Sequence, residues 1–175
     1  MMLEAIVAVY ADWGIGANGT QPLTLKADRR HFRELTDGAA VIVGRKTLAD
    51  FPGGRPLKNR ANIVLTRQDI AIEGAAVVHS VAEALAEAAK RRRAFVIGGE
   101  SVYKALLPHM YRIYLTKIIY APHSDAFFPD LDADPAWRIA DPGAAEEEDG
   151  IPFRFMVYER EEEKSYCGKR QKAVK

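Results

Sequence analysis

Asp28 lies in Pro22-Leu23-Thr24-Leu25-Lys26-Ala27-Asp28, four residues before Phe32. A carboxylate on the partly apolar face of a helix is costly unless it is paired or accepts hydrogen bonds. Such a group can hold a planar heterocycle through two of its donors; alone, a helix-terminal or surface acid is the simpler account. Val41-Ile42-Val43-Gly44-Arg45-Lys46-Thr47 is an apolar run that ends in glycine, cations and a hydroxyl. A helix starting there would offer free N–H groups to a phosphate, and Arg45 a fork of donors. An ordinary strand–helix turn fits the spacing as well. Phe95-Val96-Ile97-Gly98-Gly99-Glu100-Ser101-Val102-Tyr103 repeats the pattern. Two such turns point to a cofactor lying across the carboxyl edge of a sheet, although Gly-Gly also makes a plain tight turn.

Gly14-Ile15-Gly16-Ala17-Asn18-Gly19 reads formally as G-x-G-x-x-G. Pro22 opposes a continuous helix from Gly16, so either a divergent dinucleotide loop or a flexible glycine-rich loop is open. Arg55-Pro56-Leu57-Lys58-Asn59-Arg60 offers Arg60 as a bidentate clamp for a carboxylate, or only a basic surface loop. The histidines at 31, 79, 109 and 123 lack metal-ligand spacing, and neither a G-x-S-x-G elbow nor a P-loop occurs.

Elements must position these groups. Short apolar runs at Ala5–Tyr10, Ala40–Val43, Asn62–Thr66, Ala76–Val78, Phe95–Ile97 and Ile113–Ile119 read as strands. The first, second and fifth show little polar alternation, as strands covered on both faces do. Helices are expected at Lys26–Leu35, after the capping pattern Ser80-Val81-Ala82-Glu83, and at Glu100–Leu107 before Pro108. Trp137–Ala140 and Pro152–Arg160, with no helix between them, are expected as antiparallel edge strands, and Glu146–Gly150 as an acidic turn. The alternation gives a single-domain α/β fold with a mixed, mostly parallel central sheet of about eight strands and about four helices.

With 175 residues the chain is sized for one domain. The expected division is a domain over residues 1–160 and a charged, disordered tail over 161–175. Lys and Arg number 25 against 24 Asp and Glu, which gives no support to a nucleic-acid or membrane-surface partner. Leu3–Ala11 is too short to span a bilayer. The single cysteine, Cys167, cannot form an intrachain disulfide, in keeping with a cytoplasmic protein.

Taken in order, Gly44-Arg45-Lys46-Thr47, Arg55-Pro56-Leu57 with Arg60, Asn62-Ile63-Val64-Leu65-Thr66, Ile97 to Tyr103, Tyr114-Leu115-Thr116 and Phe127-Phe128-Pro129 resemble the dihydrofolate reductase family. The likeness runs from about Ala5 to Tyr158. It implies NADPH-dependent reduction of 7,8-dihydrofolate to tetrahydrofolate, supporting one-carbon and thymidylate metabolism, by a cytoplasmic monomer that also takes antifolate-type ligands. Asp28 matches the pterin anchor and Thr116 the threonine bonded to it. Ala8, Phe32, Phe51, Leu57 and Tyr103 match the substrate wall, and Arg60 the arginine that grips the glutamate carboxylate. For NADPH, Gly44, Arg45, Lys46 and Thr47 match one phosphate turn. Ile97, Gly98, Gly99, Glu100, Ser101, Val102 and Tyr103 match the other, whose Gly98–Gly99 peptide would be cis. Arg45, Leu65, Thr66 and Arg67 fall at the ribose 2′-phosphate end, and His79 near the adenine. Ile15, Gly16, Asn18, Gly19, Thr20 and Gln21 match a mobile loop over the nicotinamide, and Asp125 an acid that holds it closed.

Three positions depart from the pattern. Leu23 replaces a common tryptophan, Arg29 a common leucine at the substrate, and Ser101 an arginine beside the pyrophosphate. Rival readings are a riboflavin-pathway reductase, a short-chain dehydrogenase and a non-enzymatic nucleotide-binding module. The second needs Tyr-x-x-x-Lys, which the chain lacks.

Overall fold

Apolar, β-branched runs form the strands here because both faces of the central sheet are covered. The computed structural model describes residues 2–162. The chain runs β1 (Leu3–Val9), β2 (Gly14–Gly16), α1 (Lys26–Thr36), β3 (Ala40–Gly44), α2 (Arg45–Ala49), β4 (Ala61–Leu65), β5 (Ala75–Val78) and α3 (Val81–Ala88). It continues through β6 (Ala94–Gly98), α4 (Glu100–Leu106), β7 (Met110–Ile118), β8 (Ala126–Phe127), β9 (Trp137–Asp141), β10 (Glu146–Glu148) and β11 (Ile151–Arg160). The sheet order is β10-β11-β7-β1-β6-β3-β4-β5, with β9 also paired to β11. Pairing is parallel from β7 to β5 and antiparallel among β11, its neighbours and β9.

Alternate residues of the central strands point to opposite faces. Ala5, Val7, Ile42 and Val96 pack with α3 and α4 through Ala84, Ala88, Val102 and Leu106. Ile6, Val41, Val43, Phe95 and Ile97 pack the other face with Phe32 and Leu35 of α1 and Leu48 of α2. Ser80 caps α3 as its spacing predicts, its Oγ accepting from Glu83 N at 3.1 Å.

Two segments differ from the sequence expectation. The acidic run Glu146–Glu148 is a strand, because Asp149 (φ 49°) and Gly150 (φ 79°) make a two-residue hairpin turn to β11. The glycine run Gly14–Gly16 pairs with β8 as a separate two-stranded ribbon, and no helix opens within it. No helix among the described residues is long and apolar enough to cross a membrane. The expected tail from residue 163 onward, with Cys167, lies outside the described residues.

Candidate active site

The carboxyl ends of β1, β3, β4 and β6 open into one cleft of about 1830 Å³, with α1 and α2 along its sides. Open α/β sheets bind ligands at such an edge. Asp28, Ala8, Phe32, Phe51 and Tyr103 lie on its wall, as do Ile15, Gly16, Gly19 and Thr20. So do Gly44–Thr47, Leu65–Arg67, His79 and Ile97–Tyr103. Asn18, Leu57, Arg60 and Thr116 do not line it.

Thr116 stands behind Asp28. It is buried in β7, and its hydroxyl donates to Asp28 Oδ1 at 2.6 Å. Burial holds the Asp28 carboxyl above its ordinary range, opposed first by the Thr116 bond and then by His31 and Arg29. The helix that carries Asp28 is pinned at three points. Its N-cap, Leu25, offers no side-chain acceptor. Instead, Glu148 of β10 accepts from Lys26 N at 2.8 Å and Ala27 N at 2.9 Å. The Tyr10 hydroxyl donates to Leu23 O at 2.7 Å and accepts from Leu23 N at 3.1 Å, fixing the approach to the helix. His31 stacks on Phe155 with ring centroids 4.2 Å apart, and Phe155 lies opposite Thr116 in the β11–β7 register. Tyr103 closes the floor, its buried hydroxyl donating to Ile6 O at 2.8 Å.

The other end of the cleft is built of backbone and cations. The Gly98–Gly99 peptide is cis, and Gly98 has φ 127°. A Cβ on Gly99 would come within 2.8 Å of Thr47 Oγ1, and one on Gly44 within 3.0 Å of Val102 Cγ2. The missing Cβ atoms let these two turns approach each other without displacing Thr47 or Val102. Neither α2 nor α4 carries a side-chain N-cap. Arg45, Lys46 and Arg67 line the same end, with Arg45 bonded to Gln68. His79 Nδ1 lies 2.9 Å from Thr66 O. Bare turns flanked by cations suit the diphosphate of a dinucleotide.

Across the cleft, the β2–β8 ribbon is latched by acids. Asp125 Oδ2 accepts from Asn18 N at 2.9 Å, and Asp125 N donates to Gly16 O at 2.9 Å. Glu100 Oε2 accepts from Phe127 N at 2.5 Å.

Arg60 is fastened outside the cleft. It donates to Thr36 Oγ1 at 3.1 Å, Arg33 O at 2.8 Å and Lys58 O at 2.7 Å. Leu57 is held by Asn62, its N donating to Oδ1 at 2.9 Å. Sequence reasoning named Arg29 only as a departure, yet it lines the cleft; Thr24 and Gln68 line it unforeseen. Glu148 had no local signal, since 121 residues separate it from Ala27. Among the described residues no group of three or more His, Cys, Asp or Glu could hold a metal ion.

The family model described as dihydrofolate reductase matches residues 2–160. The chain is 35% identical to the dihydrofolate reductase of Bacillus subtilis, over 91% of this chain and 95% of that one. It is 34% identical to that of Gallus gallus, covering 90% and 96%. Among solved structures, the dihydrofolate reductase of Enterococcus faecalis complexed with NADP(H) and RAB-propyl superposes with a TM-score of 0.82. That match has 36% identity and covers 92% of this chain and 97% of the other.

Proposed function

The chain belongs to the dihydrofolate reductase family, and on that premise we propose that it reduces 7,8-dihydrofolate to tetrahydrofolate with NADPH, anchored on Asp28. The observation that carries this reading is the Asp28 carboxylate, held by Thr116 at 2.6 Å on the wall of a cleft whose far end is two glycine turns among cations.

Asp28 accepts from the pterin N3 and 2-amino groups, which fixes the ring in the plane of its carboxylate. Phe32 and Phe51 pack the flat ligand from the apolar side, and Ala8 gives backbone next to it. The cost of keeping a charged carboxylate in this half-buried place is offset by the Thr116 hydroxyl and then by the donors of the ligand. NADPH, when bound, supplies the hydride for pterin C6. The proton for N5 comes from water near Asp28, not from Asp28 itself. Gly44–Thr47 and Gly98–Tyr103 hold the diphosphate. Arg45, Thr66 and Arg67 read the ribose 2′-phosphate, and His79 lies toward the adenine. Ile15, Gly16, Gly19 and Thr20 shield the reacting rings from water. The chain's contribution is alignment of two flat rings with electrostatic support.

Absorbance at 340 nm is expected to fall when purified protein, NADPH and dihydrofolate are mixed. Oxidation of NADPH with a riboflavin-pathway pyrimidine but not with dihydrofolate would favour the rival reductase. NADPH binding with neither turnover would favour a binding module.

A further inference from the structure

Glu100 is the first residue of α4 and follows the cis Gly98–Gly99 peptide directly. It lines the cleft in the turn that the cofactor reading gives to the diphosphate. An acid is an unexpected neighbour for that group, since like charges in a half-enclosed site repel. Here both of its oxygens are engaged. Lys104 Nζ donates to Oε1 at 2.9 Å, and Phe127 N donates to Oε2 at 2.5 Å. These two donors hold its carboxyl below the ordinary range, against burial and the nearby Asp125 charge.

Phe127 belongs to β8 of the ribbon, whose partner strand β2 carries Ile15 and Gly16 over the cleft. The ribbon is rooted in the core by Trp13 and Phe128, both buried and joined by Phe128 N donating to Trp13 O at 2.9 Å. Phe128 packs edge-on against Tyr103 of α4, with ring centroids 5.0 Å apart. Phe127, one residue nearer the tip, is exposed. Asp125 fastens the outer part of the ribbon to its own loop, at Asn18 and Gly16. Glu100 does something different: it fastens the ribbon to the diphosphate turn, across 27 residues of chain.

We propose that Glu100 is a positioning residue that makes closure of the ribbon and retention of the cofactor depend on each other. The inference rests on the NADPH reading of the cleft and adds to it a residue that joins the cover to the phosphate turn. With the ribbon down, Phe127 N and Lys104 share the Glu100 charge, and the turn stays favourable to the diphosphate. With the ribbon lifted, one donor is gone, and the carboxylate bears more fully on the diphosphate and loosens it. Such coupling is reciprocal, so a bound diphosphate in turn favours the lowered ribbon. An acid serving only as a helix-end charge would stabilise α4 and couple nothing.

The test is amide hydrogen exchange at Phe127 in the full chain, free and saturated with 2′-phospho-ADP-ribose. That ligand carries the diphosphate but no nicotinamide, and so leaves the space under the ribbon empty. The parent's Phe127 amide is expected to exchange roughly three- to tenfold more slowly with the ligand bound. Glu100→Gln keeps an acceptor but no charge. It abolishes that response, and NADPH, followed by stopped-flow fluorescence, leaves it roughly three- to tenfold more slowly than the parent. Lys104→Met strips the other donor from Glu100, so NADPH leaves that variant faster than the parent. Glu87→Gln removes an acid of α3 paired with Lys90 and leaves both readings as in the parent. A Phe127 amide that ignores bound 2′-phospho-ADP-ribose in the parent would overturn the inference alone. So would a Glu100→Gln variant that keeps the response, or that differs from the parent only in a lower Tm. Failure of both NADPH and 2′-phospho-ADP-ribose to bind would overturn the cofactor reading and this inference with it.

Discussion

Asp28 is placed where the free protein would be better off without its charge. Its folded pKa is raised, first by desolvation. A carboxyl with a raised folded pKa loses stability as pH rises from the ordinary carboxylate range through the raised value. Asp28→Asn removes that loss. The variant is expected to melt above the parent at neutral pH, and the difference to vanish below the ordinary range, in calorimetry across pH. The same change should cut kcat/KM for dihydrofolate by roughly 10²–10³-fold while NADPH binding survives. Unchanged activity would remove Asp28 from the reaction. Thr116→Val tests the partner: without the hydroxyl that lowers it, the Asp28 pKa should rise further, read by carboxylate ¹³C NMR titration. Asp28 stood out in the sequence as an acid four residues before Phe32 on a partly apolar helix face, but the residues alone fitted a surface acid as well, and its role as an anchor came from the family resemblance. The setting of Arg60 did not stand out. Its acceptors are carbonyls of Arg33 and Lys58, which the fold brings to it and no side-chain pattern announces.

At the scale of elements, α1 depends on a strand more than a hundred residues away. Its first N–H groups have no local cap and are met by Glu148. Helix ends left without acceptors fray. Glu148→Ala is expected to speed amide exchange at Lys26 and Ala27 and to raise the KM for dihydrofolate, with NADPH affinity unchanged. Unaltered exchange at those amides would show that the cap does not hold the helix. The acidic run hid this strand because charge, not apolar alternation, dominates Glu146–Asp149. The Asp149-Gly150 pair was the available hairpin signal. The ribbon of β2 and β8 was hidden for another reason: three and two residues are too few for periodicity to register. By contrast β1, β3 and β6 were plain in the sequence, since burial on both faces makes Ala5–Val9, Ala40–Val43 and Phe95–Ile97 wholly apolar; the one charge in β1, Glu4, sits near its start and pairs with Arg93. The turns after β3 and β6 demand glycine for a different cause, the close approach of Gly99 to Thr47. Gly99→Ala is expected to weaken NADPH binding in fluorescence titration while the apo protein stays folded. Parent-like affinity would place the cofactor elsewhere.

For the whole molecule, strand order matters more than strand identity. The chain lays β3, β4 and β5 outward from the centre, then returns to insert β6 between β1 and β3, and places β7 on the other side of β1. Nothing in a local run encodes that return, so the sequence yields the strands and the α/β class but not the order. The order brings the carboxyl ends of β1, β3, β4 and β6 to one edge, and a ligand there touches elements from most of the chain. Binding at that edge must therefore stabilise the fold as a unit. At NADPH near 100 times its dissociation constant, the native state gains about 2.7 kcal/mol. For a chain of this size that corresponds to a rise in Tm of roughly 5–11 °C. NADH lacks the phosphate assigned to Arg45, Thr66 and Arg67, so at equal concentration its shift should be much smaller. Replacing Arg45 and Arg67 together by Gln should bring the NADPH shift down to that of NADH. If the two cofactors protect the parent equally, those side chains do not read the 2′-phosphate, and the cationic end of the cleft serves another group.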